Sequence, residues 1–320
     1  MLPLRQGVGP STVALPSGHR DRWQTLADYL AHRFAAVPRE EWIARMQRGE
    51  VVDAQGQPVA ADHPFEPQQR YHYYREWPDE PHVPFDESVV FEDEFLLVAD
   101  KPHFLPVTPK GKHVRETLLA RLRDRTGNAE LSPIHRIDRE TAGLVVFAKQ
   151  RTTRHAYQQL FAQSQVHKMY EAIVHQNSDP QGRAWADALR VAAVTRRSRL
   201  EPSTHFMQMH ESGKADDIPN AETRIHLLEA RADFLRLRLE PRTGKRHQLR
   251  VHLMALGLPI VGDRIYPVLR PEGSDEYQHP LRLLASSIAF DDPLTGKRRS
   301  FASSLALAWP DIGAASAPLG

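Results

Sequence analysis

The chain predicts an α+β fold in two parts, a small helix-bearing module followed by a larger domain of mixed strands and helices. Residues 22–76 show helical spacing and then a short hairpin pattern, whereas from Val89 onward apolar residues run or alternate as they do in strands. Three prolines within Trp77–Pro84 separate the two stretches, so 77–84 reads as a linker. At 320 residues, 41% hydrophobic and 26% charged, the chain has apolar material for a core in each part.

Taken in order, residues 1–21 form an N-terminal extension and 22–76 the small module. There Leu26, Leu30 and Phe34 recur at helical spacing, Trp42, Ile43 and Met46 suggest a second short helix, and Arg48–Val52 leads into a hairpin turned at Gln55-Gly56-Gln57. The main domain spans 85–310. Val89–Pro102 reads as two short strands around an acidic turn, and the apolar stretch Val145–Lys149 as a buried strand. Arg151–Gln165 is helical, with Ala156, Tyr157, Leu160 and Phe161 on one face, and Met169–Val174 is a strand. The polar stretch Gln176–His226 shows no clear period. Leu235–Leu239 alternates like a strand, and Gly244–Leu256 reads as a helix ended by Gly257 with Pro259 beyond. On that helix Arg246 and Arg250, four apart, share a face, while Leu249, Leu253 and Leu256 turn to the core. Residues 311–320 read as a disordered tail.

The absence of cysteine removes disulfides, thiolate zinc sites and thiolate attack on a pyrimidine, so covalent chemistry needs another nucleophile. No run of about 18 uncharged apolar residues predicts a membrane span. Met1–Gly18 carries Pro3, Pro10 and Pro16 and lacks the apolar centre of a signal peptide, so cytoplasmic residence is expected. Net charge is only +2, yet Lys110–Arg125 holds six basic residues against two acidic ones and Arg231–Arg250 seven against two. Such segregation suits a phosphate-binding face on a near-neutral protein.

The most chemically loaded run is His135-Arg136-Ile137-Asp138-Arg139-Glu140-Thr141-Ala142-Gly143-Leu144. It sets one carboxylate between two arginines just ahead of a strand, where the cations would keep it ionised and the backbone would hold it still, as a nucleophilic aspartate requires. His-Arg-x-Asp is superficially kinase-like, but a complete G-x-G-x-x-G, D-F-G and A-P-E are missing. His247 and His252 are five apart, not four, and no metal site is expected. Gly244-Lys245 and Gly296-Lys297 lack the rest of a Walker motif. A glycosidase needs a second carboxylate; Glu140 is expected on the opposite side of an extended loop.

The Asp138 run resembles the H-R-[LI]-D-[RK]-x-T-[SA]-G-L signature of the RluA-type pseudouridine synthases. Further blocks fit the same family. Asp93–Pro102 resembles its D-x-x-L-x-V-x-[ND]-K-P strand, and Phe104–Pro109 its G-x-P-V-[HT]-P loop, with Phe104 in place of glycine. Lys168-Met169-Tyr170-Glu171-Ala172 resembles K-x-Y-x-A-x-V, and Thr243–His252 resembles T-G-[RK]-x-H-Q-[IL]-R-V-H, continued by Gly257, Pro259, Ile260, Gly262 and Asp263. Near Leu281–Ser286 the usual L-x-L-H-A is altered, with Leu284 where His is common. Residues 22–76 resemble a degenerate S4 RNA-binding module, with Gly49, Val51, Gly56 and Val59 at its pattern positions but few basic residues.

The resemblance implies the pseudouridine synthase fold, with a mixed, mostly antiparallel central sheet, flanking helices and a cleft across its middle. It implies an isomerase acting on uridine in a structured RNA loop, a tRNA anticodon stem-loop or a 23S ribosomal RNA hairpin. The enzyme would be a monomer needing no cofactor. Asp138 would be the nucleophile, Tyr170 the stacking platform whose hydroxyl acts near C5, and Arg250 the ion-pair partner of Asp138. His135, Arg136, Arg139 and Thr141 would contact substrate, as would Lys168, Arg246, His247 and Leu283. The alternative of another class is a catalytically silent RNA-binding or ribosome-assembly factor of the same fold.

Overall fold

A computed structural model describes residues 2–18, 21–74, 80–111, 113–176, 179–214, 216–231, 233–270 and 277–310. Trp77–Asp79 of the expected linker and the tail 311–320 lie outside the described residues. The chain divides into two compact units, Met1–Pro81 with Thr108–Ala129, and His82–Val107 with Glu130–Gly320.

In the first unit, Thr25 and Asp28 form a capping box at the start of α1 (Leu26–Arg33), and α2 (Arg39–Gln47) follows with two glutamates in its first turn. Leu26, Leu30, Trp42 and Met46 pack with Trp23, Phe65 and Tyr73 against an antiparallel sheet of β1 (Ser11–Ala14), β3 (Arg70–Tyr73) and β2 (Val51–Val52). Thus residues 11–14 of the expected extension are part of this sheet. The hairpin after Val52 returns as a single bridge to Pro58, because the Asp53 carboxylate accepts the amides of Gln55 and Gln57 and tightens the turn. α3 (Leu118–Thr126) lies within the expected main domain but clusters here. A Cβ on Gly7 would stand 1.8 Å from the Ala120 carbonyl oxygen, and Val8, Val114 and Ala120 share an apolar cluster. Glu80 is no free linker residue either: its carboxylate accepts the amides of Val114 at 2.6 Å, Arg115 at 3.0 Å and Glu116 at 2.7 Å.

The second unit is built on one large mixed sheet. Its strands are β4 (Ser88–Glu92), β5 (Leu96–Lys101), β6 (Ser132–Pro133), β7 (Ala142–Ala148), β8 (His167–His175), β9 (Val194–Ser198), β12 (Ala221–Arg231), β13 (Phe234–Pro241), β14 (Leu283–Asp291) and β15 (Arg298–Ala302), interrupted by a hairpin of β10 (Leu200–Pro202) and β11 (Met209–Glu211). The order is β4-β5-β7-β14-β8-β13-β12-β9, with β6 on β7 and β15 on β14; every pairing is antiparallel except β7 with β14. This is the α+β, mostly antiparallel sheet expected. All seven residues of β7 are buried, as the apolar run 144–148 requires of a strand covered on both faces.

Helices cover the sheet at two places. α4 (Arg154–Ala162) seats Tyr157 and Leu160 against Leu96, Val98, Leu144 and Val146. α5 (Pro180–Val191) and α6 (Gln248–Ala255) seat Ala186, Leu189, Leu249 and Leu253 against Ala172, Val174, Leu235 and Leu237. α5 falls in the stretch that showed no clear period, yet Asp179 caps it and Pro180 opens it. α6 is shorter than expected. The helix starts at Gln248 because His247 has left-handed backbone, φ 54°, and the Gln248 side chain accepts from the Lys245 amide, closing a loop in place of a first turn. Arg246 therefore precedes the helix and shares no face with Arg250.

Candidate active site

Asp138 lies on the loop between β6 and β7, and each residue after it is tied to the scaffold. The Thr141 amide donates to the Asp138 carbonyl at 3.2 Å. Lys101 Nζ, at the end of β5, donates to the Arg139 carbonyl at 3.0 Å and to the Pro102 carbonyl at 2.9 Å. His103 Nδ1–H donates to the Glu140 carbonyl at 2.7 Å. Gly143, φ 109°, lets β7 meet β14 closely: a Cβ there would stand 2.3 Å from the Ala285 carbonyl oxygen. The carboxylate thus projects from a loop held by buried donors.

The groups that meet Asp138 come from α6 and the turn before it, not from the flanking arginines. Arg250 Nη1 reaches Asp138 Oδ2 at 3.4 Å, and His247 Nε2 stands 3.9 Å from the same oxygen. Arg136 is exposed, and Arg139 lies 3.7 Å from Glu140. Charge beside an aspartate in sequence is not charge beside its carboxylate, because an extended loop sends neighbouring side chains apart. Arg250 is fully buried, an expensive place for a guanidinium, and Asp263 offsets this with a bidentate grip, Nε to Oδ2 at 2.8 Å and Nη2 to Oδ1 at 2.6 Å. Burial alone would lower the Arg250 pKa, but the Asp263 hydrogen bonds with the charges of Asp263, Asp138 and Glu140 carry it above its ordinary value. Glu140 Oε2 lies 3.8 Å from Arg250 Nη1, so it faces the same guanidinium as Asp138 and not the opposite side of the loop.

Tyr170, half-buried on β8 opposite Leu239, packs against the core below the site. Burial and the nearby Asp138 charge push its phenol pKa well up, so the hydroxyl keeps its proton at neutral pH. Burial pushes His247 down, leaving it neutral; its Nδ1 meets the Tyr266 hydroxyl at 3.0 Å. That hydroxyl accepts the Met209 amide at 2.8 Å, which frees its proton for Nδ1 and leaves Nε2–H toward Asp138. Lys101, fully buried, is lowered to about 7 by desolvation, with Glu140 and Asp138 acting in the opposite direction. Among the described residues no group of three or more His, Cys, Asp or Glu is arranged to hold a metal ion.

A carboxylate, a protonated phenol and a buried arginine stand together around the loop before β7. Residues 95–255, half of the chain, match the family described as RNA pseudouridylate synthase. The chain belongs to this family, in its RluA-type branch. It is 31% identical over 236 residues to ribosomal large subunit pseudouridine synthase D of Pseudomonas aeruginosa, covering 68% of each chain. It is 31% identical over 218 residues to the dual-specificity RNA pseudouridine synthase RluA of Vibrio vulnificus, covering 67% of this chain and 81% of that one. The solved structure of human RNA pseudouridylate synthase domain containing 1 shares the fold, at 20% identity and TM-score 0.52, over 73% of this chain and 95% of that chain. The protein is therefore an RNA pseudouridine synthase, an isomerase.

Within this synthase the other residues singled out in the sequence divide. Thr141 is buried beside Asp138, and Leu283 pairs with Ala172 in the core cluster on which Tyr170 rests. Lys168 donates to the Thr243 carbonyl at 3.1 Å, and burial lowers its pKa. His135 faces the scaffold: its Nε2 accepts the Val146 amide at 3.1 Å and its ring stacks on Phe161 at 4.7 Å, with a pKa lowered to about 3 by burial. Arg246 is engaged by the carbonyls of Phe206 and Met207, both at 2.9 Å. In the basic stretch 231–250, Arg231 pairs with Glu229 and Arg238 with Glu240, while Arg242 and Lys245 stay exposed. Asp263, Lys101, His103 and Tyr266 had no assigned role in the sequence. The signal for Asp263 was available, since a buried arginine needs a carboxylate. No helix among the described residues is long and apolar enough to cross a membrane.

Proposed function

We propose that this synthase uses Asp138 to isomerise uridine in a stem-loop of structured RNA, with a tRNA anticodon loop or a 23S ribosomal RNA hairpin as target. The observation that supports it is the buried guanidinium of Arg250, anchored on Asp263 and set 3.4 Å from the Asp138 carboxylate, whose charge also acts on Tyr170. Pseudouridine formation breaks N1–C1′, turns the uracil and forms C5–C1′, with a proton lost at C5 and one gained at N1. Addition at C6, attack at C1′ and removal of the C2′ proton would all begin at this carboxylate. Tyr170 supplies the aromatic face for the free uracil, and its protonated hydroxyl is a donor to it. Extruding the base costs a few kcal/mol, roughly, and least in a loop. The relatives point to the RNA class: the P. aeruginosa protein is named for the large ribosomal subunit and the V. vulnificus protein for dual specificity. An intact Asp138, Tyr170 and Arg250 speak against a silent assembly factor.

The test is chemical mapping of pseudouridine in total RNA from cells with and without the gene, followed by restoration of the missing site with purified protein. Wild type should restore a tRNA or ribosomal RNA site, and Asp138→Asn, nearly isosteric but uncharged, should bind the RNA and restore nothing. Loss of messenger RNA sites alone would overturn the substrate assignment. Turnover by Asp138→Asn at one hundredth of the wild-type rate, on the order of 10⁻², would overturn the nucleophile.

A further inference from the structure

The turn between β10 and β11 carries an exposed aromatic pair. Phe206 is 76% exposed, and its ring stacks on His205 at 5.1 Å with 29° between the planes. An apolar ring left in water contributes nothing to folding. The turn that bears it is nevertheless firmly anchored. Arg246 Nη1 and Nη2 donate to the carbonyls of Phe206 and Met207. Gln208 Nε2 donates to the Ile265 carbonyl at 2.9 Å, and the Met209 amide to the Tyr266 hydroxyl. That hydroxyl meets His247, which faces Asp138 at 3.9 Å. The turn is thus built onto the same residues that surround the carboxylate.

We propose that the His205–Phe206 stack is a platform for an unpaired nucleobase neighbouring the target uridine, and that Arg246 is the positioning residue that presents it. The inference rests on the RNA reading above and adds a second contact to it. An unpaired base is the occupant because a uridine extruded from a loop leaves its neighbours unstacked, and every base has a face that an aromatic side chain can cover. Arg246 gives one N–H of each terminal nitrogen to these carbonyls, which is what makes it an anchor of the turn. The exposed Arg242 and Lys245 are the side chains nearby in sequence that can meet phosphate.

The test uses the full chain and a stem-loop RNA that wild type modifies, with 2-aminopurine placed in turn at each position flanking the target. Wild type should quench one position. Phe206→Ala should lose that quenching and weaken RNA affinity roughly 5- to 150-fold, while single-turnover rate at saturating RNA holds. Phe206→Tyr should recover the quenching. Arg246→Met should show the same defect with an unchanged salt dependence of binding, and Phe206→Ala should cost less in its background. Wild-type affinity and quenching in Phe206→Ala would overturn the platform. A salt slope reduced by about one in Arg246→Met would make that residue a phosphate ligand and overturn its positioning role. If wild type formed pseudouridine in no RNA, the RNA reading itself would fall instead.

Discussion

Asp263 grips one edge of the Arg250 guanidinium through Nε and Nη2 and leaves Nη1 toward Asp138, so the acid at the site is paired through a residue that is itself paired. Asp263 in turn accepts the amides of Ile265 at 2.8 Å and Tyr266 at 3.1 Å, which fixes its carboxylate before it meets the arginine. Geometry at Asp138 is thus set by a chain of buried charge-assisted bonds.

Removing the anchor should be costly. Asp263→Ala leaves a buried guanidinium with one carboxylate withdrawn, a loss of about 3–5 kcal/mol in such sites, and should lower both the unfolding midpoint and turnover. Arg250→Lys keeps the charge but cannot fork onto Asp263 and reach Asp138 together, so it should not preserve turnover. Denaturant unfolding and single-turnover assays check this; an Asp263→Ala enzyme as stable and active as wild type would contradict it.

Tyr170 should act as a face and a donor. Tyr170→Phe keeps the stack and loses the hydroxyl, so RNA affinity should persist while turnover falls. Tyr170→Ala should lose the stack as well, worth about 1–3 kcal/mol for a base on an aromatic ring. Because the phenol pKa is raised, wild-type rates should show no rise with pH attributable to its deprotonation near neutrality. Equal activity in wild type and both variants would remove Tyr170 from the site.

Lys101 should give stability a distinctive pH dependence. In the unfolded chain the amine keeps its proton up to its ordinary value of 10.5; in the folded chain it is lowered to about 7. Between those values the unfolded state binds more protons, so stability rises as pH increases from about 7 toward 10.5. Below 7 both states are charged and the cost of burying the ammonium is fully present. Unfolding measured at intervals from pH 7 to 10 should show this rise in wild type and a flatter profile in Lys101→Met. Parallel profiles would show that the amine is not titrating in this window.

Gly143→Ala should damage the site through backbone alone. Its Cβ would meet the Ala285 carbonyl oxygen at 2.3 Å and the Ala285 amide nitrogen at 2.7 Å, atoms that cannot rotate away, at φ 109°. Strain of about 1–3 kcal/mol, with loss of the β7–β14 register behind Asp138, should lower both the melting temperature and the saturated turnover rate. Wild-type melting and turnover would refute the close approach.

The sequence by itself determined the class of fold, the family and the loop that carries Asp138, because these rest on local pattern. The apolar run of β7, the facing leucines of α6 and the strands around Asp93 follow from residues a few positions apart, and burial then selects the period. Tertiary structure alone decided what each charge meets. Asp138 faces Arg250, 112 residues away, and not its neighbours Arg136 and Arg139; Glu140 turns to that same guanidinium; and Arg246 leaves the helix to hold the turn at Phe206. It also placed α3 with the first unit, where Gly7 lets backbone come close. The physical reason is that hydrophobic periodicity is a short-range property of the chain. Pairing of a buried charge depends on which distant carboxylate the fold brings within a few ångströms, and the arginines beside an acid in sequence carry no information about that.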